Sequence, residues 1–359
     1  MQQEQKEVEK IKSAQLHALA EHRDKLRKEP HLRWLFFEVT DRCNLRCKHC
    51  GSSCTSVGQE LSVEDVERTL QSIRGERPMI CLTGGEPLLH PDFFKIAERV
   101  TGLGFDWGMT TNGTLIDDET AERLRAAGLA TVSVSVDGME KAHNDLRGYR
   151  GAWHCAIRGV KALQNAGLRP QVTTVVHSTN ISDLDPLYAL LKELGIESWR
   201  IINVEPIGRA CEEGDMLLTP EEFTYLISFI REKRYDPRCP MEVTFGCSHY
   251  LGVSEERMVR DHYFLCAAGI LTASVRSNGD ICACLDIEER EELVQGNIRT
   301  DDFMTVWLER FEAFRRDRTA DSPKCSACPE RYLCGGDSTH TWDFDKHEPR
   351  LCYRDYLSV

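Results

Sequence analysis

Hydrophobic and polar positions along the chain alternate between two periods. Short runs rich in β-branched and aromatic residues are separated by longer stretches whose apolar residues recur every three to four positions. The runs Leu35–Val39, Met79–Thr83, Asp106–Thr110, Thr131–Val136, Gln171–Val176 and Trp199–Asn203 predict strands. Val63–Ile73, Phe93–Leu103, Glu119–Ala127, Trp153–Ala166 and Leu184–Leu194 predict the helices between them. Ser62 with Asp65 reads as a capping box for the first of these. Gly104, Gly128, Gly167 and Gly195 each follow a helical run, where a left-handed cap favours glycine. Strand and helix in regular alternation predict parallel β/α units. The expected fold class is therefore α/β, a partial (β/α)6 TIM-like barrel whose site lies at the C-terminal ends of the strands.

The flanks read differently. Residues 1–30 predict a charged helix ending at Pro30, with Val8, Ile11, Leu19 and Leu26 as a narrow stripe that packs it on the body. Beyond Asn203, Thr219–Arg234 predicts a helix capped by Thr219 with Pro220 at its first position. Ala273–Cys284 alternates around Asn278-Gly279, a hairpin signal, and Asp302–Arg318 predicts one amphipathic helix. The remainder is loop rich in cysteine, proline and glycine, which reads as a small metal-stapled module. The expected division is 1–30, an N-terminal extension; 31–210, the barrel; 211–260, a bridging region; and 261–359, the cysteine-rich domain.

Composition narrows the function. No stretch reaches the ~20 apolar residues of a membrane span, and the polar start lacks the apolar core of a signal peptide. The formal charge of −13, from 45 basic and 58 acidic residues, disfavours a sequence-blind nucleic-acid binder. A cytoplasmic protein with neither membrane nor nucleic-acid partner is expected. Its 16 cysteines are too many for chance and the chain too long for a secreted disulfide scaffold. They read as metal ligands or catalysts. Cys81 and Cys155 fall in apolar patterns and read as small buried hydrophobes. The others concentrate in two places.

Cys43, Cys47 and Cys50 form a C-x3-C-x2-C run directly after the first predicted strand. Three soft donors on one short loop suit an iron–sulfur cluster. A cubane has four irons, so three thiolates leave one open to a small molecule. The competing reading is a zinc knuckle with His49 as fourth ligand. The next strand ends carry Gly84-Gly85-Glu86-Pro87, Asn112-Gly113 and Ser135-Val136-Asp137-Gly138. Each is a weak turn signal alone. Gathered around one thiolate loop, they describe a ligand site.

On those paired motifs the region from Trp34 to Pro206 resembles the radical S-adenosylmethionine (SAM) superfamily. The resemblance implies that Cys43, Cys47 and Cys50 hold a [4Fe–4S] cluster whose open iron binds SAM. It implies SAM contacts from Gly84, Gly85, Glu86 and Pro87, and from Asn112, Ser135, Asp137 and Arg147. A surface salt bridge is the competing reading of Arg147. The chemistry implied is reductive cleavage of SAM to a 5′-deoxyadenosyl radical that takes hydrogen from a C–H bond. A low-potential electron donor such as a flavodoxin or ferredoxin would serve it. Cys54 reads either as a bystander or as a thiol near the site.

Cys266, Gly279, Cys284, Cys325, Cys328, Cys334 and Cys352 are spaced in a way similar to the SPASM extension of such enzymes. The resemblance implies up to two auxiliary iron–sulfur clusters, with Cys325, Cys328, Cys334 and Cys352 on the outer [4Fe–4S] cluster. Only Cys266 and Cys284 match the inner one, since Ser338 stands where the family has cysteine. Cys282 or Cys247 could fill in, or Asp337, Ser338 or His340 could ligate as a harder donor. The inner cluster could also be a [2Fe–2S] type, keep an open iron or be missing. Two zinc sites are the competing reading of the module. Asp286, two residues past Cys284, is the candidate catalytic base. The polar, aromatic run from Thr339 to Asp345 either lines a channel or caps the module.

The expected function is a maturase acting on a peptide or protein side chain, its substrate a ribosomal precursor peptide among other options. The second reading is a related enzyme working on a tetrapyrrole or another small molecule. A non-catalytic reading is an iron–sulfur electron carrier or a zinc-bearing module.

Overall fold

The six expected strands and the helices between them form within two residues of the expected ends. This holds in the computed structural model, which describes residues 2–52, 54, 59–211, 216–246 and 249–357. The elements are α1 (Gln2–Lys28), β1 (Trp34–Thr40), α2 (Val63–Ser72), β2 (Met79–Gly84), α3 (Phe93–Gly102), β3 (Trp107–Thr111), α4 (Asp118–Ala126), β4 (Leu129–Ser135), α5 (Glu140–Arg147), α6 (Ala152–Asn165), β5 (Pro170–Val176), α7 (Leu184–Glu193) and β6 (Ser198–Asn203). Next come α8 (Pro220–Tyr235), β7 (Glu242–Phe245), β8 (Thr272–Val275), β9 (Asp280–Cys282), β10 (Gly296–Asn297), α9 (Phe303–Glu309), α10 (Glu312–Arg315), α11 (Pro323–Ser326) and α12 (Arg331–Cys334). The capping box of α2 closes in both directions between Ser62 and Asp65.

The sheet has the order β10-β9-β8-β1-β2-β3-β4-β5-β6-β7. From β8 through β7 every pairing is parallel. The barrel wall is thus longer than the six expected strands. β7 extends it past β6, and β8, the first strand of the expected hairpin, pairs with β1. The cysteine-rich segment is stitched into the barrel sheet. Helices cover the outside through apolar faces such as Val66, Leu70 and Ile73, and the core includes Trp107 and Trp199.

Two expectations need correction. Asp302–Arg318 is two short helices, α9 and α10, not one. The chain turns at Arg310–Phe311, which sends Phe311 into the core. Arg315 then folds back beneath Trp307 and donates to the Leu308 carbonyl at 3.1 Å, capping the end of α9. The stripe on α1 is also displaced. Leu16, Ala20, Arg23 and Leu26 are buried, whereas Val8 and Ile11 are exposed. A charged residue anchors the contact: Arg23 Nη1 donates to the Leu333 carbonyl at 3.1 Å, so α1 docks on α12. Among the described residues no helix is long and apolar enough to cross a membrane.

Candidate functional site

The cysteine loop leaves β1 at Thr40 and is pressed against the end of β2. A Cβ on Gly84 would come within 2.3 Å of the Thr40 carbonyl oxygen, and one on Gly85 within 2.3 Å of the Arg42 carbonyl and 2.8 Å of Cys43 Cβ. Only glycine lets the two loops approach this closely. Gly85 N and Glu86 N donate to the Thr40 and Arg42 carbonyls at 2.9 and 2.8 Å. Pro87 opens a short turn whose Leu88 N–H points to Glu86 Oε1 at 3.4 Å.

Glu86 and Asn112 tie the strand ends together. The buried carboxylate of Glu86 accepts from Thr111 Oγ1 at 2.9 Å and from Asn112 N at 2.8 Å. Asn112 Nδ2 donates to Asn44 Oδ1 at 2.9 Å, and Asn44 sits inside the cysteine motif. Asn112 Oδ1 accepts from Thr114 N at 2.9 Å. The side chains of both residues are engaged in this scaffold, which ties the loops together. Ser135 ends β4 half-buried, paired in register with Thr173.

Asp137 and Arg147 form the charged floor. Asp137 Oδ2 lies 2.6 Å from Arg147 Nε, and Oδ1 accepts from Val175 N at 3.0 Å. Arg147 is buried, not a surface bridge, because α5 turns inward before the left-handed cap Gly148. Its Nη1 stands 3.6 Å from Cys47 Sγ. Burial alone would raise the Asp137 carboxyl, but Arg147, with His49 and His143, holds it well below the usual range. Burial pushes His49 down to about 3 and His143 down to about 4. His143 Nδ1 accepts from Asp137 N at 3.0 Å, which fits a neutral ring.

Glu86 yields a testable pH dependence. Burial pushes its carboxyl up to about 7, against the hydrogen bonds from Asn112, Thr111 and Leu88. A carboxyl raised on folding favours the native state while protonated. That stability is lost as pH rises from the unfolded value of about 4.3 through about 7. Glu86→Gln removes the titration. Urea unfolding of the metal-free chain at about pH 5 and about pH 8 should show the wild type losing ~3 kcal/mol more than the variant over that interval.

The donor set fits an iron–sulfur cluster bound to a small polar ligand. Cys47 is buried, and Cys43 and Cys50 are half-buried on the same loop. Around them His49 Nδ1, His143 Nε2 and His177 Nε2 are buried without a hydrogen-bond partner among the described residues, positions a polar ligand would satisfy. Cys54 stands at the site, its thiol beside those of Cys43 and Cys50. Among the described residues no three or more His, Cys, Asp or Glu side chains close tightly enough for a single metal ion.

Cys325, Cys328, Cys334 and Cys352, the four expected on the outer auxiliary cluster, line one cavity of about 280 Å³. Four sulfurs closing on zinc at about 2.3 Å would leave no such space, whereas a cubane needs it. Arg354 Nη1 donates to Cys328 Sγ at 3.1 Å and Asp337 N to Cys334 Sγ at 3.2 Å. Cys266 lies elsewhere, accepting from Thr339 N at 3.4 Å. Cys284 lies near His340. Cys282 is buried with its thiol toward the Cys284 carbonyl at 3.6 Å. Cys247 lies outside the described residues. Asp286 is exposed, with Oδ2 at 3.9 Å from Cys284 Sγ.

Several residues escaped the sequence reading. Arg209 Nε donates to the Cys47 carbonyl at 2.8 Å, and Glu38, inside β1, accepts from Ser277 N at 3.1 Å. Glu205, just past β6, lies between His249 and His340. Its place after a strand end was the available signal, and nothing local marked His249 as its partner.

Comparison with known proteins agrees with this geometry. A family model described as the radical SAM superfamily matches residues 37–191, and one described as the SPASM iron–sulfur cluster-binding domain matches residues 266–329. The AdoMet-dependent heme synthase of Methanosarcina barkeri is 30% identical over 345 residues, 90% of this chain and 97% of that protein. The mycofactocin maturase MftC of Mycolicibacterium smegmatis is 29% identical over 310 residues, 84% of this chain and 77% of that one. The crystal structure of Streptococcus suis SuiB bound to its precursor peptide SuiA superimposes with a TM-score of 0.74 at 18% identity, covering 92% of this chain and 76% of that one. At that identity the likeness is one of fold.

Proposed function

The chain belongs to the radical SAM superfamily and carries a SPASM domain, and from that premise we propose that its substrate is a tetrapyrrole, acted on in a heme-forming step. The observation that carries this reading is the extent of the likeness to the heme synthase, which takes in barrel and auxiliary module together and 97% of that protein's length. When bound, the SAM-ligated cluster supplies the 5′-deoxyadenosyl radical that takes a hydrogen atom from substrate.

The chain's own residues do the rest. Cys43, Cys47 and Cys50 would hold three irons. Glu86 and Asn112 lock the strand ends against the cysteine loop. Arg147 and Arg209 brace Cys47 from two sides, one at its thiol and one at its carbonyl. Cys325, Cys328, Cys334 and Cys352 would hold an auxiliary cluster. Asp286, exposed beside Cys284, would serve as the base that accepts a proton from the substrate.

A peptide or protein side chain is the second reading, favoured by the 29% identity to a mycofactocin maturase. One experiment separates the two. The anaerobically reconstituted chain is given SAM and dithionite with either iron coproporphyrin III or candidate precursor peptides. Loss of porphyrin carboxyl groups as CO₂, with 5′-deoxyadenosine formed above the substrate-free rate, is the expected outcome. An unchanged porphyrin beside a peptide of altered mass would overturn the tetrapyrrole reading.

A further inference from the structure

Two cysteines match the inner auxiliary position by spacing, and both thiols converge on one dipeptide. Cys266 Sγ accepts from Thr339 N at 3.4 Å and lies 3.2 Å from Thr339 Oγ1. The Cys284 thiol lies beside the next side chain, His340. Both contacts fall one and two residues past Ser338, where the spacing lacks a cysteine.

His340 is held as ligating histidines are held. Its Nε2 stands 2.5 Å from Glu205 Oε2. Glu205 Oε1 lies 2.7 Å from His249 Nε2, and His249 Nδ1 lies 3.1 Å from Asp337 Oδ2. A metal-bound imidazole characteristically has its other nitrogen on a carboxylate, which fixes the ring and raises its basicity. Here that carboxylate comes from the barrel and is itself backed by a second imidazole and a second carboxylate. All four groups are buried or nearly so. Burying such a network costs desolvation that its attractions barely repay, so it stabilises the fold poorly for what it holds.

Two other candidate donors, Asp337 and Cys282, are committed elsewhere. Asp337 accepts from Tyr250 N at 3.0 Å and faces His249, on the side of the outer cavity. The Cys282 thiol turns to a backbone carbonyl.

We propose that His340 ligates an inner auxiliary iron–sulfur centre together with Cys266 and Cys284, in place of the cysteine absent at Ser338. The centre thus has mixed sulfur and nitrogen donors. The proposal is independent of the substrate reading: porphyrin turnover can fail while the centre is present, and the reverse.

The test uses the full chain, labelled with ¹⁵N-histidine and reconstituted anaerobically without SAM, so that no SAM nitrogen contributes. Wild type should bind more than about eight irons, the total for a radical cluster and one outer cluster at ~4 each. Its reduced spectrum should carry a ¹⁵N hyperfine coupling. His340→Ala should fall back to about eight irons and lose the coupling. His340→Cys should keep the iron and lose the coupling, which also guards against a misfolded alanine variant. About eight irons in wild type without histidine coupling, or a coupling that survives in either variant, overturns the proposal. A drop in melting temperature alone, with iron and spectrum unchanged, would make the network a weld between barrel and module and overturn it equally.

Discussion

The triple variant Cys43→Ala/Cys47→Ala/Cys50→Ala is expected to form no detectable 5′-deoxyadenosine from SAM and dithionite, and to lose about four irons per chain while keeping the auxiliary iron. The separation follows from where the thiols stand. The first set lies on the β1–α2 loop, and Cys325, Cys328, Cys334 and Cys352 line a cavity of their own in the C-terminal segment. Removing one set leaves the other set's walls intact. The triple variant is the decisive one because of Cys54. Its thiol contacts those of Cys43 and Cys50, so loss of either alone leaves a sulfur within reach of the vacated place. Cys47 has no such substitute: its thiol is faced by Arg147 and its carbonyl is bound by Arg209. Cys47→Ala alone should therefore approach the triple variant, and Cys43→Ala or Cys50→Ala should retain a fraction of the iron. Iron analysis with product quantification reads both. Turnover by the triple variant would remove the SAM-cleaving site from this loop.

The barrel was legible because its signals are local. Each strand is a short β-branched run and each helix carries its own period and cap, so six units emerge from pattern alone. The glycine-bearing strand ends were legible for the same reason: their meaning is in the turn they make. What stayed hidden depends on distant residues meeting. β7 is only four residues long, too short to stand out from its surroundings. The pairing of β8 with β1 joins segments more than two hundred positions apart. Pattern also misled at Asp302–Arg318, where apolar spacing is continuous but a buried arginine caps a helix end in the middle. On α1 the anchor is Arg23, which any hydrophobic count passes over. The Asp337–His249–Glu205–His340 chain is the extreme case, assembled from three segments far apart in the sequence.

Arg147→Met is expected to cost about 3–5 kcal/mol of stability in the metal-free chain. The substitution keeps most of the side chain's bulk and removes its charge. It leaves the Asp137 carboxylate fully buried with the Val175 N–H and the neutral His49 and His143 beside it. The pH dependence gives the sign. In wild type, burial works against ionisation of Asp137, but Arg147 outweighs it and holds the carboxyl well below its ordinary value. A depressed carboxyl contributes stability above its unfolded value of about 3.9, lost only as pH falls below that. Without the guanidinium, burial dominates and the carboxyl is pushed up. The contribution then reverses sign: protonation favours the native state, and stability falls as pH rises past 4. The variant should therefore be closest to wild type in acid and furthest from it near neutrality. Asp137→Asn/Arg147→Met should recover part of the loss, since the uncompensated charge is gone, and a double-mutant cycle isolates the pair's coupling. Equal stability of Arg147→Met and wild type at neutral pH would place the guanidinium outside the buried floor. The double variant should still fail to cleave SAM, because its recovered stability does not restore the charge that faces Cys47 Sγ at 3.6 Å. Folding and cofactor chemistry thus part company at one side chain.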